Sequence, residues 1–342
     1  MADQPAQAPL PPPLVMMQLL FGKQLTYSLS GVARLGVADH MDGKPQPVEA
    51  IAAKAGAHAP SLYRVMRMLA SFGVFKEGPQ RHFALTPVGG LLKTNAPGSL
   101  RYMAMMFGEE FSTRAYEHIA ECLRNGGDGV TEAYGKQIWE VLAERPAQCE
   151  TFQQAMTNST SVAADAIVEA YDFSGIERLA DVGGGHGLLL AAILRANPGM
   201  QGVLFDRPEV VAHVPKQQFA GCEGRITTEA GSFFERVPDG CDAYLLKHII
   251  HDWSDEHCRT ILSLMRKKLP KQGRVLVCEM VVSDEPGPTP AKLLDIEMLV
   301  MTVGGKERTP EEFRELFASS GLRLNRIVAT DRPISVIEAV PA

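Results

Sequence analysis

Over residues 14–39, apolar side chains recur at steps of three and four, the period of a helix that buries one face. Residues 47–55 and 60–72 repeat that period over shorter spans, with Gly56 between them, and predict two short helices. The pattern then changes. VFKEGPQRHFALT holds two short runs of β-forming residues around a Gly-Pro turn. Helix, turn, helix and β-ribbon make a winged-helix pattern. The first half of the chain, to about residue 172, otherwise reads as helical.

The second half alternates. ERLADV, GMQGVLFD, GRITTE, CDAYLLKHII and GRVLVCEMVV are β-like runs separated by helical segments. Buried apolar strands alternating with helices predict an α/β fold with a doubly wound, mostly parallel, Rossmann-like sheet. LRLNRIVATDRPISVIEAV closes the chain with two strands joined only by Asp-Arg-Pro. So short a link suits antiparallel pairing at one edge of the sheet. The expected organisation is a loose, proline-rich tail over 1–13, a helical winged-helix domain over 14–173 and an α/β domain over 174–342.

Composition narrows what this scaffold serves. The chain carries 34 Lys and Arg against 40 Asp and Glu, a net charge of -6, and phosphate binding needs a positive surplus. Arg64 and Arg67 lie on the candidate recognition helix SLYRVMRMLA, but Leu62, Val65, Met66, Leu69 and Phe72 fill most of the remainder. A solvated face is expected there, with no nucleic-acid partner. No apolar run approaches the ~20 residues that cross a bilayer. The start, MADQPAQAPLPPPLV, lacks the basic flank and small-residue cleavage site of a secretory signal. The six cysteines are scattered and form no C-x-x-C pair, so neither a zinc site nor a disulfide framework is expected. Reduced thiols in a cytoplasmic protein are the expectation.

Candidate chemistry begins where LADV runs into GGGHG and then into the helical LLLAAILRANPG. The motif is Asp181-x-Gly183-x-Gly185-x-Gly187. A glycine turn between strand and helix lets main chain approach a ligand closely, at the sheet edge where such folds bind ligands. A dinucleotide loop reads G-x-G-x-x-G; counted from Gly183 or Gly185 the third glycine falls on Leu188 or Leu190, which disfavours a nicotinamide or flavin. The next strand, GVLFD, ends in Asp206, 25 residues after Asp181. An acid at that tip accepts hydrogen bonds from ribose hydroxyls. Loop, spacing and acid together point to a nucleoside-bearing ligand.

CDAYLLKHIIHDWSDEHC contains His248, His251 and His257. The first two lie at or just beyond the end of their strand, beside the glycine loop. Ser254 is placed to cap the helix DEHCRTILSLMRKKL, which has acids in its first turn and bases in its last. His251 is well placed as a general base, since an unperturbed imidazole is largely neutral at pH 7 and a phenol is a poor nucleophile until its proton is being removed. A metal on His248, His251 and Asp252 finds no further ligand pattern, and none is expected.

LKHIIHDWSDEHC, the later GGKERT at 304–309, DVGGGHG and FDRPEV occur in an order that resembles the small-molecule O-methyltransferases, typified by plant caffeic acid and animal hydroxyindole O-methyltransferases. The resemblance runs from about Leu14 to the C-terminus. It implies S-adenosylmethionine as cofactor and direct transfer of its methyl group to a hydroxyl of a small aromatic acceptor. It implies His251 as catalytic base, flanked by Glu279 and Glu307. It maps Gly183, Asp206 and Lys247 onto cofactor contacts, and Ser232 and Phe233 onto the segment that holds the adenine. Some relatives carry aspartate where Ser232 stands. Phe152, Met156, Met298 and Trp253 are expected to line the acceptor pocket, with Asp295 and His248 as polar contacts; plant enzymes often have an aromatic residue at the position of His248. The family also implies a homodimer with interlocked N-terminal helices, which makes the winged helix a structural and lid element. The competing readings are N- or C-methylation, non-methylating chemistry on the same scaffold, and a winged-helix DNA-binding regulator.

Overall fold

The computed structural model describes residues 10–342. The expected tail over 1–13 thus falls mostly outside the described residues, and at its end a helix already starts at Pro12. Proline is tolerated in a first helical turn, where its missing N–H has no intrahelical partner to lose.

The chain divides into two compact units between Glu110 and Phe111. In the first, helices Pro12–Leu20 and Gly22–Arg34 cover the 14–39 pattern. Strand β1 (Gln46–Pro47) leads into helix Val48–Ala55, helix Ala59–Ser71 and the ribbon of β2 (Phe75–Gly78) and β3 (His82–Leu85). The small sheet runs β1-β3-β2. Gly56 ends the first of these helices at φ +62°, a conformation that only glycine adopts without strain. Ile51, Met66, Leu69, Phe75 and Phe83 form its core, whereas Phe72 is exposed. Arg67 lies over the Tyr63 ring and Arg64 is exposed. Helix Pro12–Leu20 buries none of its residues in the single chain.

The second unit holds the expected sheet. Strands β4 (Arg178–Val182), β5 (Gln201–Asp206), β6 (Ile226–Ala230), β7 (Ala243–Lys247) and β8 (Arg274–Glu279) are parallel. The final pair, β9 (Leu322–Ala329) and β10 (Ser335–Pro341), is antiparallel, with β10 inserted between β8 and β9. The order is β6-β5-β4-β7-β8-β10-β9. It reverses between β4 and β7, and ligand crevices form beyond the carboxyl ends of strands at such a reversal.

The helices over 111–170, grouped by their helical pattern with the first domain, belong to this second unit. The longest, Pro146–Ala170, packs Ala163, Ala164 and Ile167 against Leu189, Leu190 and Ile193 of helix Leu188–Ala196. Periodicity identifies a helix but not the core its apolar face joins, which is why the division near residue 174 does not match the compact units.

Candidate active site

Beyond Val182 the main chain turns through Gly183 (φ +72°), Gly185 (φ +57°) and Gly187 (φ +73°) into helix Leu188–Ala196. Space as well as conformation excludes side chains here. A Cβ on Gly183 would fall 2.5 Å from Ile249 Cδ1, and one on Gly184 2.6 Å from Asp181 Oδ2. Gly185 faces open space, and its N–H donates to Asp206 Oδ2 at 2.8 Å. The Arg207 N–H donates to the other oxygen of Asp206 at 2.7 Å. The acid at the tip of β5 therefore fixes the loop and keeps lone pairs for a ligand.

Asp181 is buried and its Oδ2 has no partner within the described residues. Burial, reinforced by Asp206, pushes its carboxyl up to about 7, with Lys247 opposing. Burial pulls the Lys247 ammonium down to about 8, against the pull of Cys278, Asp181 and Glu279. A close-approach glycine loop, Asp206 at the tip of β5 and a buried acceptor without a donor fit S-adenosylmethionine, which brings hydroxyls and a cationic amine. Ser232 does not extend the set as a carboxylate would: its Oγ accepts the Phe234 N–H at 3.3 Å and caps its own turn. Phe233 and Phe234 pack edge-on against Trp253, with centroids 6.2 and 4.8 Å away. Trp253 thus packs against the expected adenine segment.

The turn after β7 holds the histidines. His248 adopts φ +51°, a left-handed conformation that costs a non-glycine residue about 1–3 kcal/mol. Ile250–Asp252 form one 3-10 turn, and Ser254 then caps helix Asp255–Lys268 by accepting the His257 N–H. The His251 ring is buried. Its Nδ1 lies 2.5 Å from Glu307 Oε1, and its Nε2 lies 3.5 Å from Asp252 Oδ1. The rings of His248 and His251 stack at 5.0 Å.

Glu279 takes a different place from the one expected. Fully buried at the end of β8, it accepts the N–H groups of Ile249 (3.2 Å) and His251 (3.0 Å) through Oε1, so it holds the backbone of the turn and not the imidazole. Burial pushes it up to about 7, with Glu307 adding to the push and His251 opposing. Glu307 is pushed up to about 8 by burial and then by the Asp295 carboxylate, with Arg308 opposing. Asp295 Oδ1 accepts the Glu307 N–H at 2.9 Å, so this residue buttresses the base pair from helix Pro290–Met301.

Residues 304–308 wrap the turn from below. Gly305 has no room for a side chain, because a Cβ would fall 2.4 Å from the His251 carbonyl oxygen. The Lys306 N–H donates to that same oxygen at 2.9 Å. Arg308 is fully buried and donates to the carbonyls of Ile250 (3.0 Å) and Trp253 (3.1 Å) and to Asp255 Oδ1 (2.8 Å). A capping box of Thr309 and Glu312, contributing about 1 kcal/mol, starts the next helix and ends the loop. Arg308 escaped the sequence reading, and Asp252 was weighed there only as a metal ligand. Both stand inside quoted motifs, but charged residues in loops read as solvent-facing.

Of the expected acceptor residues, Phe152 and Met156 are half-buried on helix Pro146–Ala170, Phe152 edge-on to Trp139 at 5.9 Å. Asn158 on the same helix has a buried amide nitrogen without a partner and was not foreseen. Met298 is buried one helical turn beyond Asp295. Among the described residues, no cluster of three or more His, Cys, Asp or Glu side chains is arranged to hold a metal, and no helix is long and apolar enough to cross a membrane.

A doubly wound sheet with this glycine loop, an acid at the tip of the next strand and a neighbouring histidine defines the class of S-adenosylmethionine-dependent methyltransferases. Comparison with known proteins narrows the class. The O-methyltransferase domain family matches residues 116–323, and the O-methyltransferase dimerisation domain matches residues 17–95. The chain belongs to the O-methyltransferase family and uses S-adenosylmethionine. It is 39% identical over 328 residues to the phenazine O-methyltransferase PhzM of Lysobacter antibioticus, covering 96% of each chain. It is 32% identical over 323 residues to the 8-amino-8-demethylriboflavin N,N-dimethyltransferase of Streptomyces davaonensis, covering 92% of this chain and 91% of the other. The crystal structure of human N-acetylserotonin methyltransferase in complex with SAM superposes with a TM-score of 0.88 at 27% identity, covering 98% of this chain and 99% of that one.

Proposed function

We propose that the chain methylates a hydroxyl of a small aromatic acceptor, with His251 as general base, and that it works as a homodimer. The observation that carries this reading is the buried 2.5 Å contact between His251 Nδ1 and Glu307 Oε1. With Nδ1–H donating to the Glu307 carboxylate, Nε2 keeps its lone pair and accepts the hydroxyl proton. The imidazolium so formed is stabilised by Glu307 in a low-dielectric site, where a charge-assisted hydrogen bond is strong. Glu279, the Lys306 N–H and Arg308 hold the turn by its backbone, so the ring needs no reorganisation at the moment of transfer. When bound, S-adenosylmethionine supplies an electrophilic methyl group on a positively charged sulfur. Asp206, Lys247 and the glycine loop hold it, and the half-buried Phe152 and Met156 and the buried Met298 side chains keep water from the acceptor.

The dimer rests on the matched dimerisation domain and on the exposed Leu14, Met16, Leu19 and Leu20 of the first helix. A second reading, N-methylation, is favoured by the riboflavin-derived relative. The two differ in the need for a base, because a neutral amine attacks without prior loss of a proton. Purified protein is incubated with S-adenosylmethionine and a panel of catechols, hydroxyindoles, phenazinols and polyketide phenols, each paired with its O-blocked or amino analogue. Mass spectrometry is expected to show one added methyl on the free hydroxyl compounds only. Methylation of the amino or O-blocked analogues would replace this reading with the second.

A further inference from the structure

We infer that His248 is a neutral hydrogen-bond donor to the acceptor molecule, and that the preferred acceptor carries a hydrogen-bond-accepting oxygen or ring nitrogen beside the hydroxyl that is methylated. The inference rests on the proposed hydroxyl methylation and adds the acceptor class to it.

The tautomer follows from a neighbour. His248 Nδ1 lies 3.3 Å from Lys247 Nζ. An ammonium has three donors and no acceptor, so Nδ1 has to supply the lone pair and the ring proton sits on Nε2. Burial first, and then the charges of Lys247 and His251, hold the ring well below the ordinary histidine value, so it does not take a second proton. That leaves Nε2–H, buried and with no partner within the described residues. A buried donor without an acceptor is costly, and it stands here on a backbone held at φ +51°. The two imidazole rings stack with centroids 5.0 Å apart at 24°, so the ring that carries this donor lies directly against the ring of the proposed base. A ligand whose hydroxyl meets His251 brings its adjacent ring position to His248. If that position holds a carbonyl, a carboxylate or an aromatic nitrogen, the donor is satisfied. If it holds C–H, the donor stays unpaired and the desolvation cost falls on binding.

The probes are 8-hydroxyquinoline and 1-naphthol, two phenols of one shape that differ by a ring nitrogen against a C–H beside the hydroxyl. In full-length protein labelled with nitrogen-15 histidine and saturated with S-adenosylhomocysteine, long-range nitrogen–proton NMR reads the tautomer of His248, assigned by its loss in His248→Phe. The expected result is Nε2–H in the free site and a shift of that signal with 8-hydroxyquinoline and not with 1-naphthol. In turnover, kcat/KM is expected to favour 8-hydroxyquinoline about tenfold, and His248→Phe is expected to erase that preference. An Nδ1–H tautomer, an imidazolium, or equal losses for both phenols in the variant would overturn the inference. If neither phenol gains a methyl group while the tautomer and the quinoline-specific shift are found, the donor stands and the hydroxyl-methylation reading fails.

Discussion

At the end of β4 a ligand meets main chain; at the end of β7 it meets side chains. The glycine loop offers the Gly185 region in open space, fixed by one carboxylate, Asp206, and packed so tightly at Gly183 and Gly184 that nothing but hydrogen fits. The catalytic turn is built from ionisable groups drawn from several segments: Glu279 from β8, Asp295 from a helix, Glu307 and Arg308 from a loop. The first device is mostly main chain from one segment, with its shape fixed by steric exclusion and one carboxylate. The second is assembled from afar and depends on which buried groups are charged. Changes in the loop are therefore expected to act on cofactor affinity, and changes in the turn on turnover.

The largest separation is expected for His251→Ala. Removing the base lowers kcat by about 10²–10⁴, while calorimetry gives an S-adenosylhomocysteine affinity close to that of the parent. Parallel losses of both would make His251 a structural residue and dissolve the contrast.

Arg308→Met comes next. It leaves the Ile250 and Trp253 carbonyls without their donors and frees the turn. Because Asp255, its carboxylate partner, is half-exposed, no deeply buried charge is stranded, and the stability loss is expected to be about 2–3 kcal/mol by urea unfolding. Displacement of the imidazole lowers kcat by about 10- to 100-fold with cofactor binding largely kept, and Arg308→Lys restores part of the rate. A variant whose activity tracks only its folded fraction would reduce Arg308 to a stabilising residue.

The same contrast explains what was legible in the chain. The sheet, its antiparallel last pair, the winged helix and the Asp181–Asp206 spacing follow from local pattern, and each is present. Glu279 was picked out, but its partners are backbone amides 28 and 30 residues away, and no periodicity distinguishes an acid that holds a turn from one that holds a ring. Arg308 was hidden for the opposite reason: a guanidinium in a loop reads as solvated until the carbonyls it serves are in view. The packing of Trp253 on Phe233 and Phe234 was not legible, because these neighbours come from a different strand's loop.

On the loop side, Asp206→Ala removes the carboxylate that holds the Gly185 N–H. Loss of charge-assisted hydrogen bonds is expected to weaken S-adenosylhomocysteine about 10- to 100-fold, with a much smaller fall in kcat at saturating cofactor. Equal affinity in the two proteins would remove Asp206 from the site.

The smallest and most diagnostic effect concerns pH. In the empty site Glu307 holds its proton up to about pH 8, because burial and then the Asp295 carboxylate disfavour its charged form. The working form has one proton, on Nδ1, with Nε2 free. The sign follows: kcat/KM rises with pH on a limb set by Glu307 near 8, above the ordinary carboxylate range of about 4.3. Asp295→Asn removes the second cause and leaves the first. Glu307 then ionises more readily, and the limb moves toward acid by less than about one pH unit, while the amide still accepts the Glu307 N–H through its oxygen. A limb that moves toward base would mean that Asp295 acts on the base through something other than its charge. A limb that does not move would mean that Asp295 and the pair are screened from each other once the acceptor is bound, and the turn would then be less dependent on its distant charges than the comparison with the glycine loop requires.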